Sequence, residues 1–306
     1  MSAIAYVFPG QGSQSVGMLA EFAQAYPSVK ACFSQASEAL GYDLWELVQN
    51  DPEDLLKQTH VTQPALLTAS YALWQVALSK RERPNFLAGH SLGEYSALVC
   101  AESLSLTDAV RLVEARGQFM QKAVPAGQGA MYAIIGLDDD KIQACCTKAA
   151  AETGNVVAPV NYNSPGQVVI AGAVNAAEMA AEACKEAGAK RALPLAVSVP
   201  SHCMLMKPAA DSLAQKLADI DLQAPTIPVV NNVDVSVESD PVKIKDALVR
   251  QLYMPVRWTE SIKWLAGQGV ENVYEVGPGK VLTGLIKRID RAVTAAPLNQ
   301  PEHFDN

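Results

Sequence analysis

At 306 residues the chain is long for one simple domain and short for three, and 49% hydrophobic against 18% charged residues is the balance of a globular protein with a sizeable core, which excludes extended disorder. A formal net charge of −8 at pH 7 argues against a nucleic-acid binder, because such proteins are more often basic. The six cysteines (Cys32, Cys100, Cys145, Cys146, Cys184 and Cys203) form no C-x-x-C pair and no zinc-finger spacing with histidine, so they read as reduced, mostly buried thiols of a cytoplasmic protein.

The first eight residues lack the basic start of a signal peptide, and no apolar run is long enough to span a bilayer. The apolar run 3–8, stopped by Pro9-Gly10, predicts a buried strand. Helices are expected over 18–25, 29–40 and 64–79, the last with Pro64 in its first turn. A short strand at 86–88, a turn at 89–93 and an apolar helix through Cys100 make an α/β unit. An amphipathic helix follows over 107–122. From 129 the pattern changes: strand 129–135, helix 138–153, strands 156–162 and 167–172, helix 174–188, strand 191–197. That order is βαββαβ, the ferredoxin-like pattern. Alternation then resumes with helix 208–220, strand 227–233, helices 243–253 and 259–268, strand 272–276 and helix 280–291, and the polar tail beyond Pro297 is expected to fray. The fold class is therefore α/β. A large domain, 1–127 and 199–306, holds a mostly parallel sheet, and a ferredoxin-like small domain, 128–198, is inserted into it.

Gly89-His90-Ser91-Leu92-Gly93 matches G-x-S-x-G between a strand and a helix, the setting of a nucleophile on a strained turn. The helix N-terminus there favours developing negative charge. A serine needs a base. Of the four histidines, His90 adjoins the serine and is expected to point elsewhere, while His60 and His303 are expected to be solvated bystanders. His202, in VPSH where the chain re-enters the large domain, is the base by elimination and position. No acid turn lies between Ser91 and His202 in the large domain, so a backbone or amide carbonyl is left to orient the imidazole.

Arg116 lies on the apolar face of the 107–122 helix with Ala109, Leu112, Val113 and Met120, while Arg111 and Glu114 form an i, i+3 pair on the polar side. A guanidinium facing the core needs a partner. Two are open: an internal ion pair with Glu94, or the free carboxylate of a ligand held bidentately. The loop PGQGSQ at 9–14 fails the dinucleotide fingerprint because Ser15 stands where glycine is required, but it can lend a backbone N–H to an oxyanion. The 277–280 segment GPGK lacks P-loop spacing.

FPGQGSQ at 8–14, QPAL at 63–66, GHSLGEYSAL at 89–98, EARG at 114–117, NSPGQ at 163–167, VPSH at 199–202 and EVGPGKVL at 275–282 together resemble the malonyl-CoA:acyl carrier protein transacylase family, in its free-standing bacterial form of fatty acid synthesis. The resemblance implies a hydrolase-like large domain, Ser91 as nucleophile and His202 as base. It also implies an oxyanion hole from the N–H groups of Gln11 and Leu92, Arg116 on the malonyl carboxylate, and the Gln251 carbonyl orienting His202. The implied reaction is ping-pong transfer from malonyl-CoA to the phosphopantetheine thiol of acyl carrier protein, with no metal or redox cofactor, by a monomer. In related polyketide enzymes leucine after the serine, as Leu92, goes with malonyl, and serine before the histidine, as Ser201, with branched malonyl groups; Leu92 carries more weight. A serine hydrolase, a polyketide-pathway acyltransferase and a non-catalytic carrier-binding module are the rival readings. Docking of an acidic carrier protein calls for a local basic patch, with Lys185, Lys190 and Arg191, or Lys280, Lys287 and Arg288, as candidates.

Overall fold

The computed structural model describes residues 3–51, 53–196 and 199–304. The chain opens with β1 (Ala3–Phe8), α1 (Ala20–Ala25), α2 (Pro27–Leu40), α3 (Leu44–Asn50) and the long α4 (Thr59–Lys80). Next come β2 (Phe86–Gly89), α5 (Leu92–Cys100) and α6 (Leu106–Ala123). The middle stretch holds β3 (Gly129–Ile135), α7 (Asp139–Thr153), β4 (Val157–Ser164), β5 (Gln167–Ala173), α8 (Val174–Glu186) and β6 (Arg191–Pro194). The last holds α9 (Lys207–Ala218), β7 (Val229–Val230), α10 (Pro241–Gln251), α11 (Trp258–Gly267), β8 (Val270–Val276), α12 (Val281–Ile289) and β9 (Thr294–Leu298).

A parallel sheet of order β7-β2-β1-β8-β9 forms the main body. Helices cover both of its faces, so β1 is buried on each side and reads as a continuous apolar run. Tyr6 and Phe8 point into one core with Leu66, Leu73 and Trp74, and Ala5 and Val7 into the other with Trp258 and Ile262. The second sheet is antiparallel, order β4-β5-β3-β6, as the βαββαβ pattern requires. Pairs of apolar residues from α7 and α8 (Ile142 and Cys146, Ala177 and Cys184) close one face of it. On the other face Met131, Val169 and Ala171 pack toward Cys203, next to His202. β4 also bonds the main body, with Tyr162 N–H donating to Val256 O at 3.0 Å and Val256 N–H to Val160 O at 2.8 Å.

Several expectations are corrected. α4 begins five residues before Pro64, which therefore lies inside the helix; burial along most of α4 outweighs the one backbone bond that proline removes. α3 is an element that hydrophobic periodicity does not predict, capped by Asp43, whose Oδ1 accepts from Glu46 N–H at 2.9 Å. The 227–233 strand shrinks to two residues because Asn231 turns the chain, its N–H donating to Ser236 O. As far as Phe304 the tail does not fray: β9 pairs with β8, and Phe304, 2% exposed, packs edge-on against Phe22. Arg81 also donates to the His303 carbonyl. β6 ends at Pro194; Val197, the expected strand end, and Ser198, the expected end of the inserted segment, lie outside the described residues. Among the described residues no helix is long and apolar enough to cross a membrane.

Candidate active site

β2 ends at Gly89 and α5 starts at Leu92, leaving Ser91 on the corner with φ 53° and ψ −107°, a conformation that costs energy in a non-glycine residue. The corner closes on the main sheet: His90 N–H donates to Phe8 O at 3.0 Å. A Cβ on Gly93 would lie 2.0 Å from Phe8 O, so only glycine fits the second small position of G-x-S-x-G. The strain is held by Asn232, whose Nδ2 donates to Gly89 O at 2.7 Å and whose Oδ1 accepts from Ser91 N–H at 2.8 Å. Leu92, as the first helical residue, keeps an N–H with no carbonyl one turn back in its own helix.

His202 comes from the segment before α9, itself at φ 64°, with its N–H on Leu252 O at 2.9 Å. Its Nδ1–H donates to the backbone carbonyl of Gln251 at 2.6 Å. A carbonyl only accepts, so the proton of the neutral ring sits on Nδ1 and Nε2 carries the lone pair. Ser91 Oγ–H donates to that Nε2 at 2.8 Å. Burial, and after it the Arg116 cation, push the imidazole from 6.5 down to about 3, against the pull of the Gln251 carbonyl; His90 also lowers it. His202 is thus a neutral acceptor throughout ordinary pH.

Arg116 is 1% exposed on α6. α6 reaches the first turn of α4 because Gly117 has no side chain: a Cβ there would lie 2.4 Å from His60 Cα. This contact brings Arg116 Nη1 to Gln63 Oε1 at 2.8 Å. Nη2 donates to Gln251 Oε1 at 2.9 Å and to Ser91 Oγ at 3.3 Å, and the guanidinium lies 5.3 Å from the Tyr95 ring centroid. Of the two partners left open by the sequence, Glu94 does not touch Arg116 in any hydrogen bond described; the Gln251 amide stands between them, its Nε2 donating to Glu94 Oε2 at 2.8 Å.

Ser91, His202 and Arg116 line one cavity of about 360 Å³, together with Gln11, Leu92 and Gln63 from the main body and Met131, Asn161 and Val169 from the second sheet. Gln251 is fully buried behind it. His90 is half-buried and lines the cavity, its Nε2 paired with Asn163 Oδ1 at 2.8 Å and its ring edge-on to Trp258. His60 is half-buried rather than solvated; it sits in α4 with Nδ1 on Gln121 Oε1 at 2.8 Å. His303 is half-buried, not solvated. Arg111 donates to the Ala39 carbonyl at 2.8 Å rather than pairing with Glu114. The side chains of Asn232, Gln63 and Gln251 are site groups that sequence reasoning leaves without a role, and Glu94, expected there only as a direct partner of Arg116, instead binds Gln251 and Asn232. Their only signal is a polar group in an apolar run. Among the described residues no cluster of three or more His, Cys, Asp or Glu side chains is placed to hold a metal.

The model of the acyl transferase domain family matches residues 5–303. The malonyl CoA-acyl carrier protein transacylase of Salmonella typhimurium is 64% identical over 302 residues, which is 98% of this chain and 97% of the relative. A crystal structure of an acyl carrier protein S-malonyltransferase from Vibrio cholerae superposes with TM-score 0.97 at 62% identity, over 99% of both chains. A malonyl-transacylase solved in complex with the acyl-carrier protein of a type II polyketide synthase superposes with TM-score 0.97 at 58% identity, over 99% of this chain and 98% of its own. The chain belongs to the acyl transferase domain family and, within it, to the malonyl CoA-acyl carrier protein transacylases.

Proposed function

We propose that the chain moves a malonyl group from malonyl-CoA to the phosphopantetheine thiol of acyl carrier protein through a malonyl ester on Ser91. Malonyl transfer to acyl carrier protein is the activity of the family to which it belongs. The observation that carries the serine mechanism is one hydroxyl reached from two sides, by the His202 lone pair at 2.8 Å and by the Arg116 guanidinium at 3.3 Å, inside one cavity.

In the first half-reaction Ser91 Oγ forms a bond to the thioester carbonyl carbon while its proton passes to His202 Nε2. Nδ1–H stays on the Gln251 carbonyl, which holds the imidazolium in register. The N–H groups of Gln11 and Leu92 receive the oxyanion. Collapse breaks the C–S bond, and His202 returns the proton to the departing sulfur, giving free CoA. In the second half-reaction the carrier thiol gives its proton to His202 and attacks the ester; Ser91 leaves and is reprotonated. Every atom, proton and electron pair is accounted for by the two thiols and the serine, so the chemistry calls for no metal or redox cofactor. The distal malonyl carboxylate replaces the Ser91 contact of Arg116 and gives the buried cation a counter-charge.

The pathway is fatty acid synthesis in the cytoplasm, a setting supported by six free cysteines. A polyketide carrier is the second reading, favoured by the likeness to the polyketide carrier complex. The working form is a monomer, supported by a cavity that one chain completes. Of the two basic patches, the one on α12 is assigned to carrier docking: Val281, Leu282 and Leu285 of that helix line the cavity, and Arg288 reaches Gln167 at the same rim with a 2.8 Å bond. Initial rates with varied malonyl-CoA and varied holo-carrier protein test the mechanism. Parallel reciprocal plots are expected; converging lines, or hydrolysis as fast as transfer, would refute it.

A further inference from the structure

Glu94, on the first turn of α5, is 2% exposed, and none of the transfer steps uses it. One of its oxygens, Oε2, accepts from both Gln251 Nε2 at 2.8 Å and the Asn232 backbone N–H at 3.0 Å. Each donor residue holds a different part of the machinery. Gln251 gives its carbonyl to His202 Nδ1 and its Oε1 to Arg116 Nη2. Asn232 ties Ser91 N–H to Gly89 O. An amide has one donating and one accepting end. A guanidinium only donates and an ionised carboxylate only accepts, so the ionised Glu94 admits a single orientation of the Gln251 side chain, with Oε1 toward Arg116. Among the described residues the hydrogen bonds of Arg116 go to the neutral side chains of Gln63, Gln251 and Ser91, and Glu94 is a carboxylate one amide behind them.

We propose that Glu94 is a positioning residue that acts through Gln251 and Arg116: its negative charge locks the Gln251 amide and weakens the grip of Arg116 on the substrate carboxylate, so that a dicarboxylic acyl group is held and still released to the carrier. This rests on the malonyl-transfer reading above. The groups that face Glu94 are Arg116 from α6, Gln251 from α10, Asn232 and Asp234 from the segment after β7, and Tyr95 of its own helix. Burial pushes its carboxyl from 4.5 up to about 7, opposed by the Gln251 and Asn232 hydrogen bonds and by Arg116, so the charge is switched within the working range of pH.

The test is single-turnover acylation of the full chain by malonyl-CoA and by acetyl-CoA, comparing wild type with Glu94→Gln. The amide oxygen introduced by this substitution can still accept both hydrogen bonds while the charge is gone. Half-saturation for malonyl-CoA is expected to fall roughly tenfold and that for acetyl-CoA to stay, because only malonyl carries the second carboxylate. In wild type the malonyl half-saturation falls as pH drops through about 7, and the variant shows no such step. A residue with a purely structural role does not tighten binding when it is replaced. A folded variant with unchanged or weakened malonyl half-saturation overturns the proposal. If the variant does not fold, a wild-type malonyl half-saturation that is flat across neutral pH overturns it alone. Failure of wild type to acquire a malonyl group would instead overturn the function on which the proposal rests.

Discussion

Truncation of Arg116 to alanine tests the origin of acyl selectivity. The guanidinium is fully buried, its Nη1 and Nη2 are held by Gln63 and Gln251, and Nη2 already lies 3.3 Å from Ser91 Oγ, the proposed acyl acceptor. A carboxylate two bonds from the thioester carbon can thus meet the fork without moving it. Each charge-assisted hydrogen bond is worth about 1.5–3 kcal/mol, so losing a bidentate pair costs about 3–6 kcal/mol of transition-state stabilisation, or roughly two to four orders of magnitude in kcat/KM for malonyl-CoA. Acetyl-CoA makes no such contact. Its rate is expected to hold or rise, because Arg116 also depresses the basicity of His202 and that influence disappears. Arg116→Lys keeps the charge without the planar fork and should fall between. The assay is competition: equal malonyl-CoA and acetyl-CoA, quenched early, with the two protein adducts counted by mass spectrometry. A thermal melt controls for Gln63 and Gln251 being left without their donor. A folded Arg116→Ala protein with the wild-type adduct ratio would refute the clamp.

His202→Ala removes the lone pair 2.8 Å from Ser91 Oγ and should slow acylation about 10²–10⁴-fold without unfolding the chain, as read by stopped-flow release of CoA; a loss below tenfold would contradict its role as base. Gly93→Ala drives a methyl group from α5 into Phe8 O, 2.0 Å away, at the end of β1. The variant should melt well below wild type, by about 3 kcal/mol or more, and an unchanged melt would refute the close-approach argument. Stability should also depend on Glu94. Its folded-state pKa of about 7 is above its ordinary 4.5, so its contribution is fully present below about 4.5 and is lost as pH rises through about 7. The loss is on the order of 3 kcal/mol, and urea denaturation of Glu94→Gln across that window should lack it. Parallel pH profiles for variant and wild type would contradict this.

Much of the site was legible because its chemistry is written into local spacing. G-x-S-x-G between a strand and a helix needs only neighbouring residues to define the corner at Ser91, and a guanidinium on the apolar face of α6 is anomalous on its own helix. The βαββαβ order was equally readable, since its two helices and first three strands are long and flanked by turns, and only the last strand, β6, is as short as four residues. The rest depends on meetings far apart in sequence. Asn232 clamps the elbow from 141 positions away and Gln251 reaches Glu94 across 157, and nothing local marks either amide. Gln63 lies in a helix buried all round, where periodicity has no polar face to report. The errors at Pro64 and in the tail share a cause. A proline and a polar composition are weak local signals, and burial of α4 and the pairing of β9 with β8 overrode them.

Mass spectrometry of the intact chain after brief mixing with malonyl-CoA, without carrier protein, followed by peptide mapping, reads the covalent step itself. One malonyl group on the peptide carrying Ser91, absent from Ser91→Ala and discharged when holo-carrier protein is added, is the predicted result. A malonyl group mapped to any other residue, or an equal yield on Ser91→Ala, would contradict it.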